Sequence, residues 1–142
     1  MDLTNKIEEL NEAKHKLLLI IGAPGSGKSK VIREYSQETG IPIIDLDKIF
    51  INTAPDQLMN EMKNFLKTYN QKVLLLDNKK ILYAKNSTID MMEFLKEISQ
   101  EIPVLATWNG KIEDGQLYHI RKDTPEDLIY PVNNEEFQYI LC

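Results

Sequence analysis

Gly22-Ala23-Pro24-Gly25-Ser26-Gly27-Lys28-Ser29 sets glycines, a lysine and a hydroxyl in the order GxxxxGK[ST]. Glycines let backbone N–H groups approach an anion with no Cβ in the way. A lysine adds a compact cation, and a serine hydroxyl is an oxygen ligand suited to magnesium. The pattern follows the apolar run Leu17-Leu18-Leu19-Ile20-Ile21. A strand, a glycine turn and a helix N-terminus therefore converge on one point where a polyphosphate fits. Gly22, Ala23, Pro24, Gly25, Ser26, Gly27, Lys28, Ser29 and the following Lys30 are the expected nucleotide contacts.

Lys72-Val73-Leu74-Leu75-Leu76-Asp77 is an apolar run closed by a carboxylate. Beside a phosphate loop that pattern holds Mg2+, directly or through water, so Ser29 and Asp77 are the expected metal ligands; turn capping is the alternative for Asp77. Asn78 follows, where many ATPases have a glutamate that polarises the attacking water. An amide does not accept a proton as a carboxylate does, so hydrolysis is expected to be slow or to need a residue from elsewhere. Asp45 and Asp47 form a D-x-D pair whose side chains would share a face on extended chain. Both then face the metal or a substrate hydroxyl, with Asp47 a possible further metal ligand, or else they cap the next segment. Thr107 and Asn109 are expected after a fourth strand, placed to touch the γ-phosphate or orient water, with Trp108 as packing. Lys28, Asn78 and Asn109 are the catalytic candidates. Of the two arginines, Arg33 falls inside a helix, which leaves Arg121 as the candidate for reaching a neighbouring subunit's nucleotide. His15 and His119 lack zinc-ligand spacing, and Cys142 reads as an inert terminal residue.

Those side chains need a scaffold of alternating strands and helices. Leu3, Ile7, Leu10 and Ala13 predict an amphipathic helix over 2–14, packing on the domain or on a partner. Strands are expected at 16–21, 41–44, 73–76 and 103–107. Helices are expected from Lys28 to about Gln37 with Gly40 as the stop, from Thr53 and Pro55 through Leu66, and from a Ser87/Asp90 capping pair to about Gln100. Asp114-Gly115 predicts a hairpin, residues 123–127 one helical turn, and 137–141 a final strand. The expectation is a single α/β domain over 1–142, a three-layer P-loop NTPase fold with a mostly parallel sheet, helices on both faces and a C-terminal β-hairpin.

The 142 residues carry a net charge of -5, which argues against direct nucleic-acid binding by the domain alone. The apolar runs are too short to cross a bilayer, the N-terminus does not resemble a signal peptide, and a single cysteine suits a reducing compartment; a cytoplasmic protein without membrane association is expected.

Gly22 to Ser29, Asp77 on the third strand and Thr107 or Asn109 after the fourth resemble the core of the additional-strand P-loop ATPases, including the AAA+ group, over about residues 1–120. The resemblance implies ATP and Mg2+ as ligands and a homo-oligomer or larger complex as the working form. Asn78 and the lack of a helical lid with its own arginine depart from that group. The short length, Leu75-Leu76-Asp77-Asn78 and Ala106-Thr107-Trp108 leading to a hairpin also resemble the small stand-alone P-loop proteins of the third type of BREX phage-defence system. That likeness implies an ATP-binding component acting with larger partners in bacteriophage restriction. Ile44-Asp45-Leu46-Asp47 after the loop is similar to shikimate and gluconate kinases, but residues 48–110 have no arginine to hold a substrate and the turn after Asp77 is not glycine-rich. A nucleotide-sensing module without turnover is the third reading.

Overall fold

A computed structural model describes residues 3–83, 89–120 and 128–142. Its first strand is β1 (Leu17–Gly22), in which every residue is buried. An unbroken apolar strand needs cover on both faces, and the pleat divides its side chains between two cores. Leu17, Leu19 and Ile21 join one cluster with Leu74, Leu76, Met62 and Leu95. Leu18 and Ile20 join the other with Ile7, Leu10, Ile32 and Tyr35. The first cluster takes in α4 (Leu58–Thr68) and α5 (Met91–Ile98), and the second α1 (Leu3–Leu10) and α2 (Lys28–Thr39).

The remaining strands are β2 (Ile43–Asp45), β3 (Leu74–Asp77), β4 (Val104–Glu113), β5 (Gln116–His119), β6 (Leu128–Pro131) and β7 (Gln138–Leu141). The order β2-β3-β4-β1-β7 is parallel throughout, so β4 lies between the phosphate-loop strand and the aspartate strand. This is the α/β three-layer architecture the sequence predicts. β5 extends it antiparallel to the far end of β4, and β6 pairs antiparallel with β5. The turn between β4 and β5 places Asp114 at φ 53° and Gly115 at φ 74°, the left-handed pair a two-residue hairpin loop requires.

Several boundaries differ from expectation. β4 does not stop at 107, because it changes partners without breaking: it pairs with β1 as far as Asn109 and with β5 from Gly110. Thr107, Trp108 and Asn109 therefore sit inside a strand. The first helix ends at Leu10 rather than near 14. Asp90 is itself the cap of α5, its carboxylate accepting from Glu93 N at 3.2 Å. A short helix, α3 (Leu46–Ile49), takes up residues that an extended D-x-D reading requires to be strand. The expected cap Ser87 and the turn at 123–127 lie outside the described residues. Among the described residues, no helix is long and apolar enough to cross a membrane.

Beyond the end of α4, the Tyr69 hydroxyl donates to the Val73 carbonyl at 2.7 Å, and burial pushes its pKa up to about 12. The folded chain thus keeps a proton that the unfolded chain releases near pH 10. Its contribution is complete below that value and is lost as pH rises toward 12. In urea titrations between pH 9 and 12, Tyr69→Phe should flatten the alkaline decline in stability; parallel declines would contradict this.

Candidate nucleotide site

β1 ends at Gly22 and α2 starts at Lys28, and the turn between them is held by Ser26 N donating to the Ala23 carbonyl at 3.0 Å. Gly25 at φ 84° and Gly27 at φ 99° adopt left-handed backbone that a side chain would strain. The Lys28 ammonium reaches back to the Ala23 carbonyl at 2.8 Å. Burial lowers its pKa, against the opposing pull of Cys142 and Asp77.

The facing wall is built from β3 and the inserted β4. Thr107 donates its hydroxyl proton to Asp77 Oδ1 at 2.8 Å and accepts from Lys79 Nζ at 3.1 Å. Placing β4 beside β3 is what puts a strand hydroxyl next to the aspartate. Lys79 is 6% exposed; desolvation drives its pKa down to about 8, Lys28 pushes the same way, and Asp77 and Asp47 partly restore it.

Asn78 turns the chain at φ 48°, a left-handed conformation asparagine tolerates. Its amide donates to Asp45 Oδ2 at 3.1 Å, and Asp45 also caps α3 by accepting from Lys48 N at 3.1 Å. Asp47 Oδ1 accepts from Ile81 N at 2.8 Å. The premise that Asp45 and Asp47 share the face of an extended strand is corrected, since Asp47 lies in α3. Both carboxylates fasten the segment that follows β3.

Loop and facing wall enclose a cavity of about 400 Å3, lined by Pro24, Gly25, Gly27, Lys28, Ser29 and Lys30 on one side and by Asp77, Asn78, Lys79 and Asn109 on the other. The family model of the Rad17 P-loop domain matches residues 3–101. The chain belongs to this family. No curated protein and no solved structure matches. A P-loop domain is a nucleotide-binding domain, and the matched span runs from α1 past α5, taking in the loop and Asp77. It stops before β4, so Thr107, Asn109 and the hairpin lie beyond the part shared with the Rad17 model.

Several residues that line this P-loop domain's cavity have no motif to announce them. Lys79 and Lys80 follow Asp77-Asn78, and the first is buried with its ammonium on Thr107 of β4. Tyr83 and His119 contribute aromatic lining, their rings 4.7 Å apart, and His119 lies 4.9 Å from Trp108. Cys142, expected to be inert, backs the loop: its N–H donates to the Ile21 carbonyl at 2.7 Å and its thiol to the Ser26 carbonyl at 3.3 Å. Arg121 lies outside the described residues.

The donors fit magnesium chemically. The Ser29 hydroxyl and the Asp77 carboxylate are hard oxygen ligands lining one cavity, and Mg2+ characteristically combines one or two protein oxygens with nucleotide phosphates and water. Bound there, the ion would offset phosphate charge.

Proposed function

We propose that this chain binds ATP with Mg2+ and hydrolyses it slowly, as an ATPase component of a larger assembly. The observation that supports this most is the cavity that joins the glycine loop to Asp77, with Lys28, Lys30, Arg33, Lys79 and Lys80 around it. Cations beside a glycine loop and a helix N-terminus favour a polyanion. Lys28 would hold the β- and γ-phosphates, the loop amides the β-phosphate, and Ser29 and Asp77 the metal. Asn109 would orient water or contact the γ-phosphate. Slow turnover follows from Asn78, because its amide nitrogen is committed to Asp45 and it has no carboxylate to accept a proton from water.

A cytoplasmic setting, a homo-oligomer or larger complex, an arginine such as Arg121 from a neighbour and a role in phage restriction belong to this proposal. The kinase reading draws less support, since Asp45 and Asp47 already hold backbone and Asn78. Phosphate release measured over a range of protein concentrations tests the proposal. Slow, magnesium-dependent release, rising with concentration or with an added partner, is expected. Binding without release favours the sensing module, and ADP formed only with an acceptor hydroxyl, its phosphoryl group carried onto that acceptor rather than freed, favours the kinase; either result overturns the ATPase assignment.

A further inference from the structure

We propose that Lys79 is a terminal-phosphate ligand, whose ammonium makes the site prefer a nucleoside triphosphate to a diphosphate. This rests on the nucleotide-binding reading above and adds a residue to it. Lys28 enters the cavity from the glycine loop, and Lys79 enters from the segment after β3 on the facing wall. Lys79 is almost fully buried, and its hydrogen bond to the Thr107 hydroxyl sets a charge against a neutral acceptor. Asp77 lies one hydrogen bond further along the same chain of groups. An ammonium has three donors, and a buried one is poorly compensated by a hydroxyl.

Charge points the same way. Lys28 and Lys79 both line the cavity, one from each wall, so an anion lying between them meets two cations. The glycine loop's amides and helix end meet the inner phosphates, and a group on the facing wall meets what projects beyond them. Asp77 alone among the described acidic residues lines this cavity, against five cations.

A merely structural Lys79 would steady Asp77 through Thr107, and its loss would act on ATP and ADP alike. The discriminating experiment is calorimetric titration of the full chain with ATP and with ADP, each in Mg2+ and in EDTA. Lys79→Met should weaken ATP at least tenfold and ADP by less than about twofold, in line with losing one charge-assisted hydrogen bond. Lys79→Arg should recover most of the preference. Equal losses for the two nucleotides, or an unchanged ATP preference, overturn the proposal. Far-UV circular dichroism and unliganded melting check that the variants fold. Should Lys79→Met not fold, the wild-type Lys79 side-chain resonance decides: it should shift with ATP and not with ADP, and an equal or absent response overturns the assignment. If the wild type binds neither nucleotide, the nucleotide-site reading itself fails; if it binds both and Lys79→Met keeps the preference, only the role of Lys79 falls.

Discussion

Lys28→Ala should remove most of the thermal stabilisation expected from magnesium-ATP. At ATP one hundredfold above its dissociation constant, wild type gains about 2.7 kcal/mol, a rise in Tm of about 8 °C for a domain of this size. Removing the ammonium that bridges loop and phosphates should weaken ATP about a hundredfold or more, as expected for losing a buried charge-assisted contact. At the same ATP concentration the gain then falls to about 0.4 kcal/mol, and the rise to about 1 °C. The unliganded variant should melt close to wild type, because the Lys28 ammonium's hydrogen bond among the described residues lies within its own loop and its burial already disfavours the charge. Differential scanning fluorimetry with and without ATP measures both quantities. Equal rises in the two proteins would contradict the assignment of the pocket.

Gly110→Ala should be the most destabilising of the conservative changes in the hairpin. A Cβ at Gly110 would overlap the Tyr118 carbonyl oxygen and fall 2.9 Å from Trp108 Nε1, which itself donates to that carbonyl at 3.1 Å. Neither neighbour is free to yield: the carbonyl is backbone of β5, and Trp108 is 1% exposed. Overpacking of this kind costs about 3 kcal/mol, or about 10 °C in Tm. Gly115→Ala is the comparison in the same hairpin. Its Cβ would meet nothing within 4 Å, and the cost comes only from φ 74°, about 1 kcal/mol. Urea denaturation of the two variants should separate them; a Gly110→Ala no worse than Gly115→Ala would show that β4 and β5 are not joined as described.

The parts legible in the sequence were those written in local chemistry. Leu17 to Ile21 announces a buried strand, Gly40 the end of α2, and Asp114-Gly115 the hairpin, because each depends on a short run or on one backbone conformation. Three strongly local signals also brought the loop, its lysine and Asp77 into view. What stayed hidden depends on pairing across the sheet. Gly110 looks like a boundary until β4 is seen to exchange β1 for β5 beside it, and there the glycine is required by a crossing carbonyl rather than by a turn. Lys79 has no pattern around it to single it out, and its burial and its bond to Thr107 emerge only with β4 in place beside β3. Asp45 and Asp47 have the spacing of a ligand pair, but α3 begins between them and separates their directions. The contacts of Cys142 with Ile21 and Ser26 span most of the chain, and no short-range pattern encodes them.

The backbone amides between Gly22 and Ser29 are the groups on which the account depends most, and their nitrogen–proton resonances report on them directly. With 15N-labelled chain titrated by magnesium-ATP, the largest saturable shifts should fall on Gly25, Gly27, Lys28 and Ser29, with smaller ones at Asp77 and Asn78. Shifts confined to other surfaces, or none at saturating ATP, would contradict the assignment of this loop as the triphosphate's seat.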